Sequence, residues 1–255
     1  MNRKHLTELE RMTIRERPEG QPLMHQKWGK LLFMHWRIEE AELRALVPEQ
    51  LEIDTFDGSA WIGIIPFTMW DIRALPPYLP AVPGLDAAHE LNVRTYVHYD
   101  RVPGVYFFSL DCNSVTAVMG ARTFYHLPYF NAAIDLEQHG DTIDYALRRT
   151  DDPPARFQAS WNIEGTVPFS HPDSLEFFLT ERYCLYVEDG DDIHRARISH
   201  APWPLHKATM NSYESTMIEA LGLRARRGEP VLNYAEEIDV DIWPLEKVSE
   251  GRDDS

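Results

Sequence analysis

Cysteine, lysine and glycine-rich loops are all scarce in this chain of 255 residues, and each shortage removes a class of chemistry. The two cysteines, Cys112 and Cys184, stand far apart and outside any C-x-x-C or other metal-ligand spacing. They supply no disulfide framework and fit a reduced, cytoplasmic setting. Only five lysines occur, at 4, 27, 30, 207 and 247. Imine chemistry needs a lysine desolvated in a pocket. Lys207, in PWPLHKATM, is the one expected within a core element, whereas Lys27 and Lys30 flank the first strand and should face solvent. There is no G-x-S-x-G elbow for a hydrolase nucleophile, and no G-x-G-x-x-G or G-x-x-x-x-G-K-[ST] loop for a nucleotide. No apolar run approaches the roughly 20 residues that span a bilayer. The first 20 residues lack the apolar core of a signal peptide. Basic charge is also short: the net charge is -16, which argues against nucleic-acid and anionic-membrane partners. The Arg224–Arg227 cluster is too small to reverse that and is expected on a surface loop.

Apolar residues are plentiful at 44%, with seven Trp, eleven Tyr and eleven Phe, a composition suited to sheets and aromatic-lined pockets. Strand patterns dominate. Lys30–Ile38 reads as a strand, followed by helical spacing over Glu39–Leu46 that stops before Pro48. LEIDTF and SAWIGIIPF flank Asp57-Gly58 and predict a hairpin. The prolines from Pro76 to Pro83 predict a loop or lid, and Pro103-Gly104 a turn before the strand VYFFSLD. Val115–His126 is read as a long strand. TIDYALRR is expected to pair with ARFQASWNI, whose Phe157, Ala159, Trp161 and Ile163 face one way. Asp173–Arg182 predicts a helix capped by Ser170 or Asp173, and Tyr213–Leu221 a helix closed by Gly222. RYCLYVE and IHRARIS form two strands across Asp189–Asp192, and Ile238, Val240 and Ile242 alternate in a last one. The pattern predicts a mainly β (α+β) chain: one barrel-like antiparallel domain over 21–248, two or three peripheral helices, a peripheral arm over 1–20 and a disordered tail over 249–255.

ELNVRTYVH, from Glu90 to His98, carries the most chemistry. Strand geometry puts Glu90, Asn92, Arg94, Tyr96 and His98 on one face and Leu91, Val93, Thr95 and Val97 on the other. A carboxylate, an amide, a guanidinium, a phenol and an imidazole on one face suit a site for a polar molecule. A solvated face with cross-strand charge pairs is the competing reading. Arg122 and His126 share a face of the expected Val115–His126 strand. Were that strand to neighbour Glu90–His98, two arginines, a carboxylate and two histidines would surround one cavity. Such arginines would recognise a carboxylate by paired charge-assisted hydrogen bonds. A salt-bridge network between strands remains the alternative. His35, in LLFMHWRI, is either a hydrogen-bonded core histidine or part of that pocket. His194, His200 and His206 are spaced six apart, without a cysteine or carboxylate to complete a metal spacing. No metal and no cofactor is expected.

The segments HQKWGKLLFMHW, LVPEQLEIDTFDGSAWIGIIPFTM, ELNVRTYV, GVYFFSLD, ARTFYHLPYF, FLTERYCLY and HAPWPL, spread over about 22–245, resemble the YqjF-like family of uncharacterised bacterial proteins. That family is similar in fold to acetoacetate decarboxylase, which implies an internal ligand cavity within the barrel-like sheet. In the decarboxylases an active-site lysine pair follows an arginine-containing strand and a proline. The matching stretch here is GARTFYHLPYF, with Arg122 and Pro128 in place and Tyr129 and Phe130 where the lysines would stand. Glu90 matches a cavity glutamate of those enzymes. The resemblance thus implies Glu90, Arg122 and Tyr129 as catalytic-position residues; the strand faces read above add Asn92, Arg94, Tyr96, His98, His126 and His35 as ligand-binding candidates. Imine-based decarboxylation loses its nucleophile. Three readings follow: a binder of a small carboxylate or carbonyl compound, a lysine-independent enzyme on a keto or hydroxy acid, or a structural protein with a satisfied polar core. Self-association into a homo-oligomer is left open.

Overall fold

The computed structural model of the chain describes residues 6–74, 87–226 and 228–249. The proline-rich stretch Pro76–Pro83 and the tail beyond Ser249 lie outside the described residues. In chain order the elements are α1 (Glu8–Thr13), β1 (Met24–Ile38), α2 (Glu40–Arg44), β2 (Glu52–Ile53), β3 (Ala60–Ala74), β4 (Ala87–Tyr99), β5 (Val102–Cys112) and α3 (Val115–Tyr125). There follow β6 (Tyr129–His139), β7 (Thr142–Arg149), β8 (Arg156–Thr166), α4 (Leu175–Thr180), β9 (Cys184–Asp189), β10 (Asp192–Ser199), β11 (Leu205–Ser215), a 3-10 turn (Glu219–Leu221) and β12 (Val231–Ser249). No described helix is long and apolar enough to cross a membrane.

Long central strands with forked edges organise this sheet. One edge of β5 pairs with β4; its other edge pairs with β9 at Val105–Tyr106 and with β6 at Leu110–Cys112. β12 forks likewise: one edge pairs with β1, the other with β11 at Tyr234–Ala235 and with β10 from Asp241 onward. The forks close two barrel-like circuits that share β12, β1, β3, β4 and β5. One is completed by β9 and β10, the other by β6, β7, β8 and β11.

The shared strands therefore have two buried faces. Leu32, Met34, Ile62, Ile64, Leu91 and Val93 point into the larger circuit, where Tyr145, Phe157 and Trp161 fill the space. Leu31, Phe33, Ile65, Phe67 and Met69 point into the smaller circuit. Single-residue alternation explains the split, because neighbours on a strand face opposite sides. Gly63 belongs to the packing between them: a Cβ there would sit 2.7 Å from the His35 ring.

Several expectations are corrected. Val115–Tyr125 is helical, capped by the Ser114 side chain accepting from Ala117 N and ended by left-handed His126. Its β-branched and aromatic residues suggested a strand, but it joins the parallel neighbours β5 and β6, and a parallel connection requires a crossover, usually helical. The sheet is accordingly antiparallel except for the β5–β6 and β5–β9 pairings. Asp57 and Gly58 both take positive φ as the turn requires, yet β2 leaves the hairpin to pair with β4. The turn between β4 and β5 falls at Asp100-Arg101, and Pro103-Gly104 lies within β5. Ser174 caps α4. Tyr213 remains in β11, leaving only the 3-10 turn before Gly222. The β7–β8 pairing and its inward Phe157, Ala159 and Trp161 follow the sequence reading. The arm before β1 packs closely: Leu6, Arg11 and Ile14 are buried.

Candidate functional site: an electropositive cavity with an acid at its far end

On β4 the polar face turns inward. Glu90 and Asn92 are 2% and 5% exposed, too little for a solvated face. They line, with Arg94, a cavity of about 460 Å³ inside the smaller circuit. Its walls are mostly apolar, with Phe33, Phe67, Leu110, Leu185 and Ile198 prominent. That volume lies in the range of small-molecule sites.

One end is cationic. Arg182, at the junction of α4 and β9, donates to the Phe178 carbonyl at 2.8 Å and to Asp54 at 2.8 Å. Asp54 also receives both terminal nitrogens of Arg11, at 2.7 and 2.8 Å. Burial pushes the Asp54 carboxyl up, but Arg182 and Arg11 outweigh it and hold the group below its ordinary value. Arg94 donates to the Leu179 carbonyl at 3.1 Å and stacks near Phe33 and Tyr96. Among the described residues no carboxylate lies within ion-pair distance of it. The carbonyls at the end of α4 are suited to hold cations. Glu181, nearby, is already engaged by the Tyr183 hydroxyl and the Trp203 N–H. Arg11 and Arg182 share Asp54, Arg94 has no ion pair among the described residues, and with Glu181 counted the three guanidiniums still exceed the two carboxylates by one.

Tyr96 and His35 form the floor beneath the arginines. The Tyr96 hydroxyl donates to the Leu179 carbonyl at 2.7 Å, so the 2.6 Å contact with His35 Nε2 runs from an imidazole N–H. Burial first, then Arg94, pushes His35 well below its usual range, so the ring is neutral.

The other end is acidic but uncharged at neutral pH. Burial raises Glu90 to about 8, against a smaller opposing effect of the Tyr129 hydrogen bond, while Asp111 adds to the rise. The Tyr129 hydroxyl donates to Glu90 Oε2 at 2.7 Å, and Tyr145 donates to the Glu90 carbonyl at 3.0 Å. A protonated Glu90 keeps one O–H to give. Both thiols are inert here: burial pushes Cys112 up to about 12 and Cys184 up to about 11.

Around the cavity, Asn92 Oδ1, Arg94 Nε, Tyr125 OH, Arg182 Nη2 and Trp203 Nε1 are buried in lining residues without a hydrogen-bond partner in the protein. Buried polar groups are nearly always satisfied, so a cluster of orphans around one space marks where a polar molecule would be held.

The structure brings together Glu90, Asn92, Arg94 and Tyr129 in the cavity lining, with Tyr96 and His35 directly behind. Three other sequence-predicted residues lie elsewhere. Arg122 sits on helix α3, half-exposed, donating to the Tyr129 carbonyl at 2.8 Å and to Asp151 at 2.8 Å. It supports the start of β6 from outside. His126 is exposed beside Asp189, on a separate recess. His98 is buried near Glu52, off the cavity lining. Of the three evenly spaced histidines only His200 lines the cavity, and Lys207 is exposed on β11. Sequence reasoning missed Arg182, Asp54 and Arg11. Arg182 stood within the FLTERYCLY segment, but its partner Asp54 is 128 residues away, and no local pattern joins them.

Comparisons with known proteins agree with this architecture. The chain is 44% identical over 232 residues to the uncharacterized protein YqjF of Bacillus subtilis (strain 168), covering 91% of this chain and 95% of that one. Among solved structures, the enduracididine biosynthesis enzyme MppR complexed with pyruvate superposes with a TM-score of 0.66 at 12% identity, over 92% of this chain and 93% of that one. An acetoacetate decarboxylase-like enzyme from Sphingomonas wittichii RW1 gives a TM-score of 0.61 at 10% identity, over 91% and 95%. These distant structures share the fold. Residues 25–239 match the family model DUF2071, described as an uncharacterized conserved protein, and the chain belongs to that family.

Proposed function

We propose that the protein binds a small organic carboxylate or carbonyl compound in the β4 cavity. Arg94 and Arg182 would take the carboxylate, and the Glu90–Tyr129 pair would take an oxygen at the other end. The observation that carries this reading is the unbalanced pair of guanidiniums, with free N–H groups on both, lining an apolar cavity. A structural network would place a carboxylate against Arg94, because a half-buried charge with no ion pair is costly. Tyr129, where the resemblance puts a decarboxylase lysine, gives its hydroxyl to Glu90, so no imine is part of the reading. The MppR complex with pyruvate supports oxo acids as the first compounds to try.

A second reading rests on Glu90. With a value of about 8, Glu90 has an ionised fraction near neutral pH that could take a proton from the carbon beside a carbonyl and, once protonated, return it to the same carbon. The protein would then act on an oxo acid through enolisation without a lysine.

The test is a thermal-shift screen of short keto acids, hydroxy acids and plain carboxylates, repeated on Arg94→Met. Stabilisation that is saturable in the wild type and absent in Arg94→Met is expected. Stabilisation that persists in Arg94→Met would overturn the assignment. Loss of the signal of the protons beside the far carbonyl of a bound oxo acid in deuterated water, abolished in Glu90→Gln, would add turnover to binding.

A further inference from the structure

The dimensions of the cavity say more about its occupant than its charges do. Arg94 and Glu90 lie four residues apart on β4, roughly 13 Å along an extended strand. The lining is largely apolar, with Phe33 on β1, Phe67 on β3 and Leu110 on β5, and Asn92, Tyr125 and Trp203 each add a polar atom. A three-carbon oxo acid has too few atoms to touch both polar ends or to cover these walls. The volume of about 460 Å³ likewise belongs to sites that enclose much larger molecules. An extended chain advances about 1.2 Å per bond, as the 3.3–3.6 Å reach of each three-bond residue implies. About eleven bonds would cover the whole span, and the hydrogen bonds at the two ends take up roughly 3 Å of it, which leaves about eight to ten chain atoms.

Resting on the carboxylate reading above, we propose that the ligand is an elongated monocarboxylate of about eight to ten chain atoms with a hydrogen-bonding oxygen at its far end. The head lies on Arg94 Nε and Arg182 Nη2, buried guanidinium nitrogens of the lining without a partner in the protein. The apolar body lies between Phe33, Phe67 and Leu110. The terminal carbonyl or hydroxyl oxygen accepts from Glu90, on the strand position paired with Phe67 on one side and Cys112 on the other. Medium-chain oxo or hydroxy acids, and aryl-substituted acids of equal length, form this class.

The experiment is a calorimetric titration of the full chain with straight-chain carboxylates from acetate to dodecanoate, and with octanoates bearing a terminal hydroxyl or aldehyde group. Affinity is expected to rise about fourfold per methylene up to eight to ten carbons and then to fall. The terminal oxygen should add a further gain that is lost in Glu90→Leu. A second variant, Ala117→Phe, adds bulk to the lining on the helix that follows the Glu90-paired end of β5, and should shorten the preferred chain by two or three carbons. Pyruvate or acetoacetate binding as tightly as the octanoates would overturn the length assignment and leave the carboxylate site standing. An unchanged length preference in a folded Ala117→Phe protein would overturn it as well. No binding by any acid of any length would overturn the carboxylate reading itself.

Discussion

β1, β3 and β4 carry one kind of interior on each face, and the two interiors are built to different ends. Toward the larger circuit, Leu91 and Val93 meet Tyr145, Phe157 and Trp161 in a core filled with fully buried aromatic side chains. Toward the smaller circuit, Glu90, Asn92 and Arg94 of the same strand meet a hollow of about 460 Å³. Close packing of the first face supplies dispersion and burial, the terms that hold a fold together. The second face gives up both and carries a desolvated acid, an unbalanced arginine pair and orphan hydrogen-bonding atoms. Each of those raises the free energy of the native state. One strand can serve both because alternation keeps the two chemistries on opposite sides of a backbone the packed side holds rigid.

The difference can be pressed hardest by truncation. Trp161→Ala in the filled compartment should cost about 3–5 kcal/mol, while Phe67→Ala on the cavity wall should cost roughly half as much, since its ring faces space on one side. Urea denaturation of the two variants compares them directly, and equal losses would mean that the hollow is packed as tightly as the core. The buried charges extend the comparison. Asp54→Ala leaves Arg11 and Arg182 without their shared carboxylate and should cost about 3–5 kcal/mol. Arg94→Met removes a cation with no acidic partner and should change stability by only about 1 kcal/mol.

Glu90 has the opposite sign. Its folded value, about 8, lies above the ordinary 4.5, so the native state holds a proton that the unfolded chain releases. Stability from this group is complete below about 4.5 and falls as pH rises toward 8. Glu90→Gln, which cannot ionise, should therefore gain on the order of 3 kcal/mol at pH 7 and nothing at pH 4. Chemical denaturation at both pH values measures that, and a pH-independent difference would place the proton elsewhere. The smallest effect is expected at Arg122→Ala. This exposed guanidinium touches Asp151 and a backbone carbonyl, and its removal should cost within about 1 kcal/mol and leave ligand stabilisation intact.

How far the site was legible in the sequence follows from the same geometry. Period-2 alternation is local, so ELNVRTYVH disclosed the face that carries Glu90, Asn92 and Arg94 before any pairing was known. The barrel-like sheet was legible from strand succession, and β7 with β8 from matched alternation. Parallel pairing leaves no such trace. Because nothing local announces that β5 and β6 run side by side, the crossover α3, rich in Val, Thr and aromatic residues, read as a strand. That error carried Arg122 and His126 into a cavity they do not line. The converse failure is Arg182: a helix end placed beside β4 only by the tertiary fold, paired with Asp54 far away in sequence, which Arg11 shares.

With its arginines in excess, the hollow face selects a negative charge. Calorimetric titration of octanoate against octanamide, matched in length and nearly in shape, tests this most directly. Carboxylate binding at least tenfold tighter, with the preference gone in Arg94→Met and kept in Arg122→Ala, is the predicted result. Equal affinity for the two compounds, or a preference untouched by Arg94→Met, would contradict it.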